Sequence, residues 1–307
     1  MTFKPGARLD PGEVRDERGS SGGGGGGFSF PGGFGGGGRS QGGGIGTPAG
    51  GGIAGVVILV VIIAVYFALN SGSTGGTNSG PVSSDLASCQ TGADANARED
   101  CRIVGYVDSV QAYWTAELPK LGKQYTLAQT VLFSGSYSTG CGQADTNTGP
   151  FYCPEDKNVY LDTDFFNVLD TELGGTSAPL AQAYVIAHEY GHHVQDLLGV
   201  LAQNQSSDTG PTSPSVRIEL QADCYAGVWA ANAVSTGYIE PLQPSDVNAA
   251  LTEAKAVGDD WIQQQSGGTV NPDQWTHGSS DQRVHWFTAG YQGADPSSCD
   301  TFSTNNL

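Results

Sequence analysis

Apolar residues are spread unevenly along the chain and divide it into four segments. Residues 1–52 contain no apolar run, residues 53–69 are apolar without a single charged side chain, and residues 70–84 are again small and polar. From residue 85 onward, apolar positions recur at the spacings of amphipathic helices and short strands. The pattern therefore predicts one globular domain over residues 85–307, joined to the apolar segment by a flexible linker at 70–84.

Within that domain, periods near 3.6 residues outnumber the short β-branched or aromatic runs that are typical of strands. The clearest helix has Ser177 as its N-cap, Pro179 in its first turn and Gly199 at its end, which are the residue types favoured at these positions. The predicted fold class is α+β and mainly helical, with a few strands. Helices are expected over residues 99–118, 180–198, 216–234, 245–265 and 279–291, and strands over residues 130–133 and 158–162.

Glycine content changes the interpretation of the first segment. Of the 47 glycines in the chain, 22 lie in residues 1–52. Such a composition cannot bury enough apolar surface to offset the conformational entropy that is lost on folding. Residues 1–52 are therefore predicted to be a disordered Gly-rich tail.

The apolar segment 53–69 would be about 26 Å long as a helix, close to the thickness of a bilayer core. A buried core helix and a cleaved signal peptide are alternatives, but the segment has no polar face and begins far from the N terminus. We therefore predict a single-pass transmembrane helix over 53–69. Basic residues up to Arg39 precede it and the next is Arg98, so the N terminus is expected in the cytoplasm and the domain outside the cell membrane.

The formal net charge of −18 arises entirely from residues that follow the apolar segment. An acidic domain with few lysines and arginines cannot neutralise a phosphate backbone, which excludes nucleic acid as a partner. All six cysteines lie in the same part of the chain, and an even number favours disulfides there. Short loops favour Cys89 with Cys101 and Cys141 with Cys153, leaving Cys224 with Cys299; buried free thiols are the alternative.

The predicted helix over 180–198 carries the candidate chemistry, His188-Glu189-Tyr190-Gly191-His192. Histidines four residues apart differ by about 40° around a helix and about 6 Å along it, so both rings can reach one metal ion. Glu189 projects beside them and can act as a general base without binding the metal. The adjacent His193 is rotated by about 100° and is expected to point away.

A catalytic zinc site needs a third protein ligand. The metzincin pattern requires glycine and histidine where this chain has Gln195 and Leu198, so that class is excluded. Glu219, on the next predicted helix, is the strongest candidate. Asp223 follows four residues later on the same face and is expected to accept the second ring N–H of a ligating histidine, His188 in the simplest arrangement. An exposed acidic helix face is the alternative.

Residues 187–195 and 219–227 resemble the neutral zinc metallopeptidase family of bacteria. Further similarity lies in the Gly-rich tail before an apolar span and in residues 149–154, 257–260 and 276–283, so the resemblance covers essentially the whole chain. More distantly, the Glu219 and Asp223 pair and the stretch 276–283 are similar to gluzincins of the Ste24/HtpX type.

This resemblance implies a zincin-like domain with zinc as cofactor, a peptide or protein as substrate and Glu219 as the third zinc ligand. It also implies that His277 donates to the oxyanion formed during hydrolysis, with Arg283 anchoring its loop. The expected function is hydrolysis of a peptide bond with Glu189 as general base. A non-catalytic zinc-containing scaffold of the cell envelope and a hydrolase of non-peptide amides are the alternatives.

Several other polar or aromatic residues near these motifs have less specific expectations. His285 is expected to be structural, and Tyr184 and Tyr190 are expected to pack. The pattern does not decide between a helix-face role and a contact near the site for Asp259 and Asp260.

Overall fold

The computed structural model describes residues 1–18, 86–145 and 148–307. In these ranges the protein is a mixed structure of helices and short strands, so the predicted α+β class is confirmed. The helices are α1 (Gly92–Ala97), α2 (Glu99–Glu117), α3 (Phe165–Thr171), α4 (Pro179–Leu198), α5 (Val200–Gln203), α6 (Pro214–Asn232), α7 (Pro244–Ala256), α8 (Asp259–Gln265) and α9 (Ser280–Gly293). The strands are β1 (Val14–Asp16), β2 (Gln129–Phe133), β3 (Tyr137–Thr139), β4 (Gly142–Ala144), β5 (Phe151–Cys153) and β6 (Asn158–Asp162).

The main sheet has the strand order β1-β2-β6-β5, with the first three strands parallel and β5 antiparallel to β6. Successive side chains of β2 point to opposite faces. Val131 and Phe133 therefore pack with Tyr160 in a small cluster, while Leu132 joins the main core. Strands β3 and β4 form a separate hairpin.

Helices α4, α6 and α9 form the centre of the helical part, where two glycines let backbones approach closely. A Cβ at Gly227 of α6 would lie 2.1 Å from the carbonyl oxygen of Phe287, and one at Gly290 of α9 would lie 2.0 Å from that of Cys224. Only glycine fits at such distances. This close packing holds α9 directly against the helix that carries Glu219.

Two details of the predicted helices are wrong. The N-cap of α4 is Ala178, not Ser177, although Pro179 and Gly199 take their predicted places. The helix expected over 245–265 is instead two helices, α7 and α8, separated at Gly258. A Cβ at Gly258 would lie 2.3 Å from the backbone nitrogen of Ser280, so the chain turns where only glycine can contact the start of α9.

The first 18 residues fold onto the domain, which corrects the prediction of a disordered tail for this part of residues 1–52. Strand β1 pairs with β2, and the apolar side chains of Phe3, Leu9 and Val14 are buried in the main core. Residues 1–18 contain only two glycines, a difference that is lost when composition is averaged over 1–52.

The transmembrane helix included in the predicted fold class also needs correction. Across the described ranges, none of the helices is both long and apolar enough to cross a membrane. The predicted span 53–69 and the linker 70–84 lie outside the described residues. The observed fold therefore gives no support to a single-pass anchor.

All six cysteines lie in described residues and form the three disulfides expected from the sequence. Two bridges close short loops, Cys89–Cys101 and Cys141–Cys153. The third, Cys224–Cys299, ties α6 to the segment that follows α9. This last bridge fixes the chain directly behind the helix face that carries Glu219 and Asp223.

Candidate active site

Helix α4 places His188 and His192 one turn apart on the same face. Their ring centroids are 4.8 Å apart and the ring planes are nearly perpendicular. Both side chains are buried, since α4 packs against α6, α7 and α2. The helix therefore presents two imidazole rings to one point in the interior of the domain.

Glu219 of α6 completes this pair from the opposite side. One carboxylate oxygen lies 3.1 Å from His188 Nε2, and the other lies 3.5 Å from His192 Nε2. The three side chains offer ligand atoms that all lie within 4.8 Å of one another. The sequence placed these residues on separate helices, and packing of α6 against α4 brings them together.

Two imidazole nitrogens and one carboxylate are the donor set typical of a zinc site with an open coordination position. Burial by itself raises the pKa of Glu219, but His192 and His188 outweigh this effect and hold it well below its usual range. Glu219 is thus an ionised carboxylate that faces two nitrogen donors. The residues present fit a zinc ion.

The outer ring nitrogens of both histidines have carboxylate or amide partners. His188 Nδ1 is 2.8 Å from Asp223 Oδ1, and His192 Nδ1 is 2.9 Å from Gln195 Oε1. An acceptor at Nδ1 keeps the proton there and leaves Nε2 free to bind a metal. Gln195 is itself fixed by donating to the backbone oxygen of Ile218 at 2.8 Å.

Asp223 is the centre of a fully buried network. Besides His188, it accepts hydrogen bonds from the hydroxyl of Tyr184 at 2.5 Å and from Arg283 Nε and Nη2 at 2.8 and 2.9 Å. Burial raises the pKa of Asp223, but the charges of Arg283 and His188 outweigh it and keep the pKa below its usual value. Asp223 therefore carries a negative charge that compensates the buried guanidinium.

The same network acts on His188. Burial lowers its pKa, yet the neighbouring Asp223 and Glu219 more than reverse this effect and raise the pKa to about 10. Metal binding at Nε2 is consequently coupled to release of a proton.

Glu189 lies beside the three-residue cluster and takes no part in it. Its side chain is 2% exposed, and its Oε2 atom has no hydrogen-bond partner among the described residues. Burial raises the pKa of Glu189, while positive charge on His188 and His192 opposes the rise. A buried carboxylate oxygen without a partner is costly, and here it lies next to a candidate metal site.

His277 is buried in the loop that precedes α9. Its Nδ1 atom lies 3.1 Å from Asp259 Oδ1 and 2.9 Å from Thr276 Oγ1. Burial lowers the pKa of His277, but Asp259 outweighs this, with a smaller contribution from Glu219, so the pKa is raised.

Asp259 fixes that loop through its backbone as well. Its Oδ2 atom accepts the N–H groups of Thr276, His277 and Gly278 at 2.7, 2.8 and 3.1 Å. Asp260 has a different task and accepts from the backbone N–H and the hydroxyl of Ser280. The sequence left both aspartates undecided, and the structure gives Asp259 a contact near the site.

The remaining residues near the motif point elsewhere. His193 is held between the Tyr152 hydroxyl and the backbone oxygen of Thr126, 2.7 Å from its Nε2, and burial lowers its pKa. Tyr190 packs in the core with its hydroxyl 2.9 Å from Thr130. His285 is exposed on α9, with its ring edge against Trp286.

Three contacts were not predicted from the sequence. Gln195 was considered only as a departure from the metzincin pattern, although its position three residues after His192 on one helix permits the contact. Tyr184 was expected only to pack, yet it lies one turn before His188 and bonds to the same aspartate. No local pattern indicates the contact of Asp259 with His277, because it depends on how the first residue of α8 meets the loop that precedes α9.

Comparison with known proteins identifies the family. The family model described as "Putative neutral zinc metallopeptidase" matches residues 6–302. The chain is 55% identical over 230 residues to Uncharacterized protein Rv2575 of Mycobacterium tuberculosis, covering 73% of this chain and 77% of that protein. It is 44% identical over 194 residues to Uncharacterized protein YpfJ of Escherichia coli, covering 62% and 66%. No solved structure matches the chain. On this evidence the chain belongs to the neutral zinc metallopeptidase family, for which zinc and peptide or protein substrates are implied.

Proposed function

We propose that this protein hydrolyses peptide bonds as a gluzincin-type zinc peptidase, with His188, His192 and Glu219 holding the metal. One observation carries the proposal. The unpartnered Oε2 atom of Glu189 lies beside these three side chains in a buried part of the domain. A structural metal site has no use for an additional carboxylate that binds neither the metal nor a neighbouring group.

Zinc held by these residues would supply Lewis-acid chemistry, polarising a carbonyl group and making water more acidic. The protein itself supplies the proton transfers. Glu189 Oε2 accepts a proton from the attacking water and later passes it to the amine that leaves.

We propose that His277 stabilises the negative charge that develops in the transition state. Asp259 holds its Nδ1 side, so the opposite nitrogen is oriented by the loop and not by free rotation of the ring. A donor oriented before the reaction costs little reorganisation in the transition state. Asp223 and Gln195 act further out, by fixing the rings of His188 and His192.

The three disulfides support a location outside the cytoplasm, because such bonds persist in oxidising compartments. We propose that the domain and the first 18 residues, which are packed together, function in the cell envelope. This proposal does not depend on how the protein is retained there.

Digestion of casein and of a diverse peptide library by the purified protein tests the proposed activity. Cleavage should stop on addition of a chelator and return on addition of zinc. His188→Ala and Glu219→Ala should each reduce bound zinc and cleavage together. His285→Ala, an exposed histidine of α9, is the matched control and should retain both. Chelator-resistant cleavage, or full cleavage by either ligand variant, would contradict the assignment.

A further inference from the structure

A small cavity opens beside Glu189 and His188, between α4, α9 and the segments around Pro150 and Val257. Its volume is about 30 Å³. An apolar cavity of about 150 Å³ binds benzene, whereas about 10–15 Å³ on a comparable scale is enough for a single water. The space next to the candidate general base therefore suits a group of one to three heavy atoms and is too small for an aromatic ring.

Four of the lining side chains are apolar, and they come from separate segments of the chain: Pro150, Phe165, Val185 and Val257. Phe165 and Val185 are buried, whereas Val257 is partly exposed. Apolar walls disfavour a charged or strongly polar occupant because its hydration is not replaced.

Arg283, a cation in the lining, is already paired with a buried carboxylate. Its Nε and Nη2 atoms donate to Asp223 at 2.8 and 2.9 Å, and its Nη1 atom donates to the backbone oxygen of Val257 at 3.0 Å. The hydroxyl of Tyr184 also donates to Asp223. A carboxylate in the cavity would lose its hydration against the apolar walls and would be repelled by Glu189.

Glu189 is the exception among the polar lining groups, because its Oε2 atom is buried and has no partner in the described residues. A ligand that occupies the cavity therefore meets an acceptor that is available for an N–H or O–H group. A peptide placed with a small side chain in the cavity would bring its adjacent amide to this oxygen.

We propose that this cavity is a substrate specificity pocket that selects a small apolar side chain, such as alanine, next to the scissile bond. The inference rests on the proposed peptidase function and adds the class of substrate. Phe165, Val185 and Val257 set the size limit, and the apolar walls together with the carboxylate of Glu189 disfavour acidic residues. Discrimination by a size-limited apolar pocket amounts to about 10- to 200-fold for one methylene group.

A peptide series that differs at one position tests the proposal once library digestion has located the scissile bond. Peptides with alanine next to that bond should have a kcat/KM at least about 10-fold above those with phenylalanine or glutamate. Val257→Ala removes two methyl groups from the lining and leaves the backbone oxygen that Arg283 binds. It should raise the leucine-to-alanine ratio by about 10-fold. The same change at Val247, which is partly buried on α7 but does not line the cavity, should leave that ratio unchanged.

Binding gives a second readout that needs no turnover. Dipeptide hydroxamates that carry alanine, leucine or phenylalanine are titrated by calorimetry into zinc-loaded wild type and Val257→Ala, with urea midpoints recorded for each variant. Tightest binding of the alanine compound to wild type, with leucine improved in Val257→Ala, supports the pocket. If the alanine analogue binds no more tightly than the phenylalanine one, or if Val257→Ala and Val247→Ala behave alike, the pocket is wrong. Cleavage without side-chain preference would refute only the pocket, whereas cleavage that resists a chelator would refute the peptidase proposal.

Discussion

Replacement of Asp223 by alanine should damage both stability and metal binding. Asp223 is completely buried and accepts four hydrogen bonds, two of them from the buried guanidinium of Arg283. Removing one partner of a buried ion pair leaves an uncompensated charge, which costs about 3–5 kcal/mol. Loss of the acceptor at His188 Nδ1 should in addition weaken zinc binding by about 10- to 100-fold.

Urea unfolding with disulfides intact and chelator present measures the first effect, because metal binding then adds nothing to the folded state. Zinc affinity is measured separately by competition with a chromogenic chelator. Two further variants complete a cycle, Arg283→Met alone and Arg283→Met combined with Asp223→Ala. Because the double replacement leaves no unpaired charge, it should cost less than the sum of the single changes.

The contribution of His188 orientation is separable from that of the ion pair. Asp223→Asn keeps an acceptor oxygen for the His188 ring but removes the charge that Arg283 requires. It should therefore lose most of the stability and less of the zinc affinity than Asp223→Ala. An Asp223→Ala protein within about 1 kcal/mol of wild type, with unchanged zinc affinity, would refute the role of this network.

Three other predictions concern the frame of the site. Phe3 packs its ring against Gly105, so Phe3→Ala should destabilise the protein by about 3–5 kcal/mol in urea unfolding; a change near zero would mean that residues 1–18 do not fold on the domain. Gly290→Ala puts a Cβ 2.0 Å from the oxygen of Cys224 and should lower the melting temperature by at least several degrees, whereas an unchanged value would contradict the contact of α6 with α9. Burial raises the pKa of Asp108 from 3.8 to about 8, so the free energy of unfolding of the wild type should fall as the pH rises between these two values. The Asp108→Asn variant should lack this pH dependence. Equal pH profiles of stability for the two proteins would contradict the prediction.

Local signals in the sequence were sufficient for the elements that carry the site. The 3.6-residue period with Pro179 and Gly199 at its ends predicts α4, and the capping box at Ser279 predicts the start of α9; both are observed. The spacing of His188 and His192 places their rings together because it depends only on helix geometry. Cysteine spacing predicts the two short disulfide loops for the same reason.

Features that depend on distant parts of the chain were not predictable in this way. The break at Gly258 is set by the approach of Ser280, which lies 22 positions further along the chain. Strand β1 forms because it pairs in parallel with the edge of β2. Its three residues show no clear alternation of apolar and polar side chains, so the sequence of this segment alone does not predict a strand. The contact of Asp259 with His277 and the bond from Tyr184 to Asp223 arise only when three helices pack together.

Averaging over composition produced the largest error. Residues 1–18 were grouped with the Gly-rich stretch that follows them, although they carry three side chains that are buried in the core.

Glu189→Gln gives the most direct test of the central claim, that a buried carboxylate beside a three-ligand metal site performs proton transfer. The change preserves shape and removes the base, while His188, His192 and Glu219 remain. The variant should be purified with as much zinc as the wild type and should lose about 10²- to 10⁴-fold in kcat against the best library peptide. Wild-type turnover by this zinc-containing variant would contradict the account.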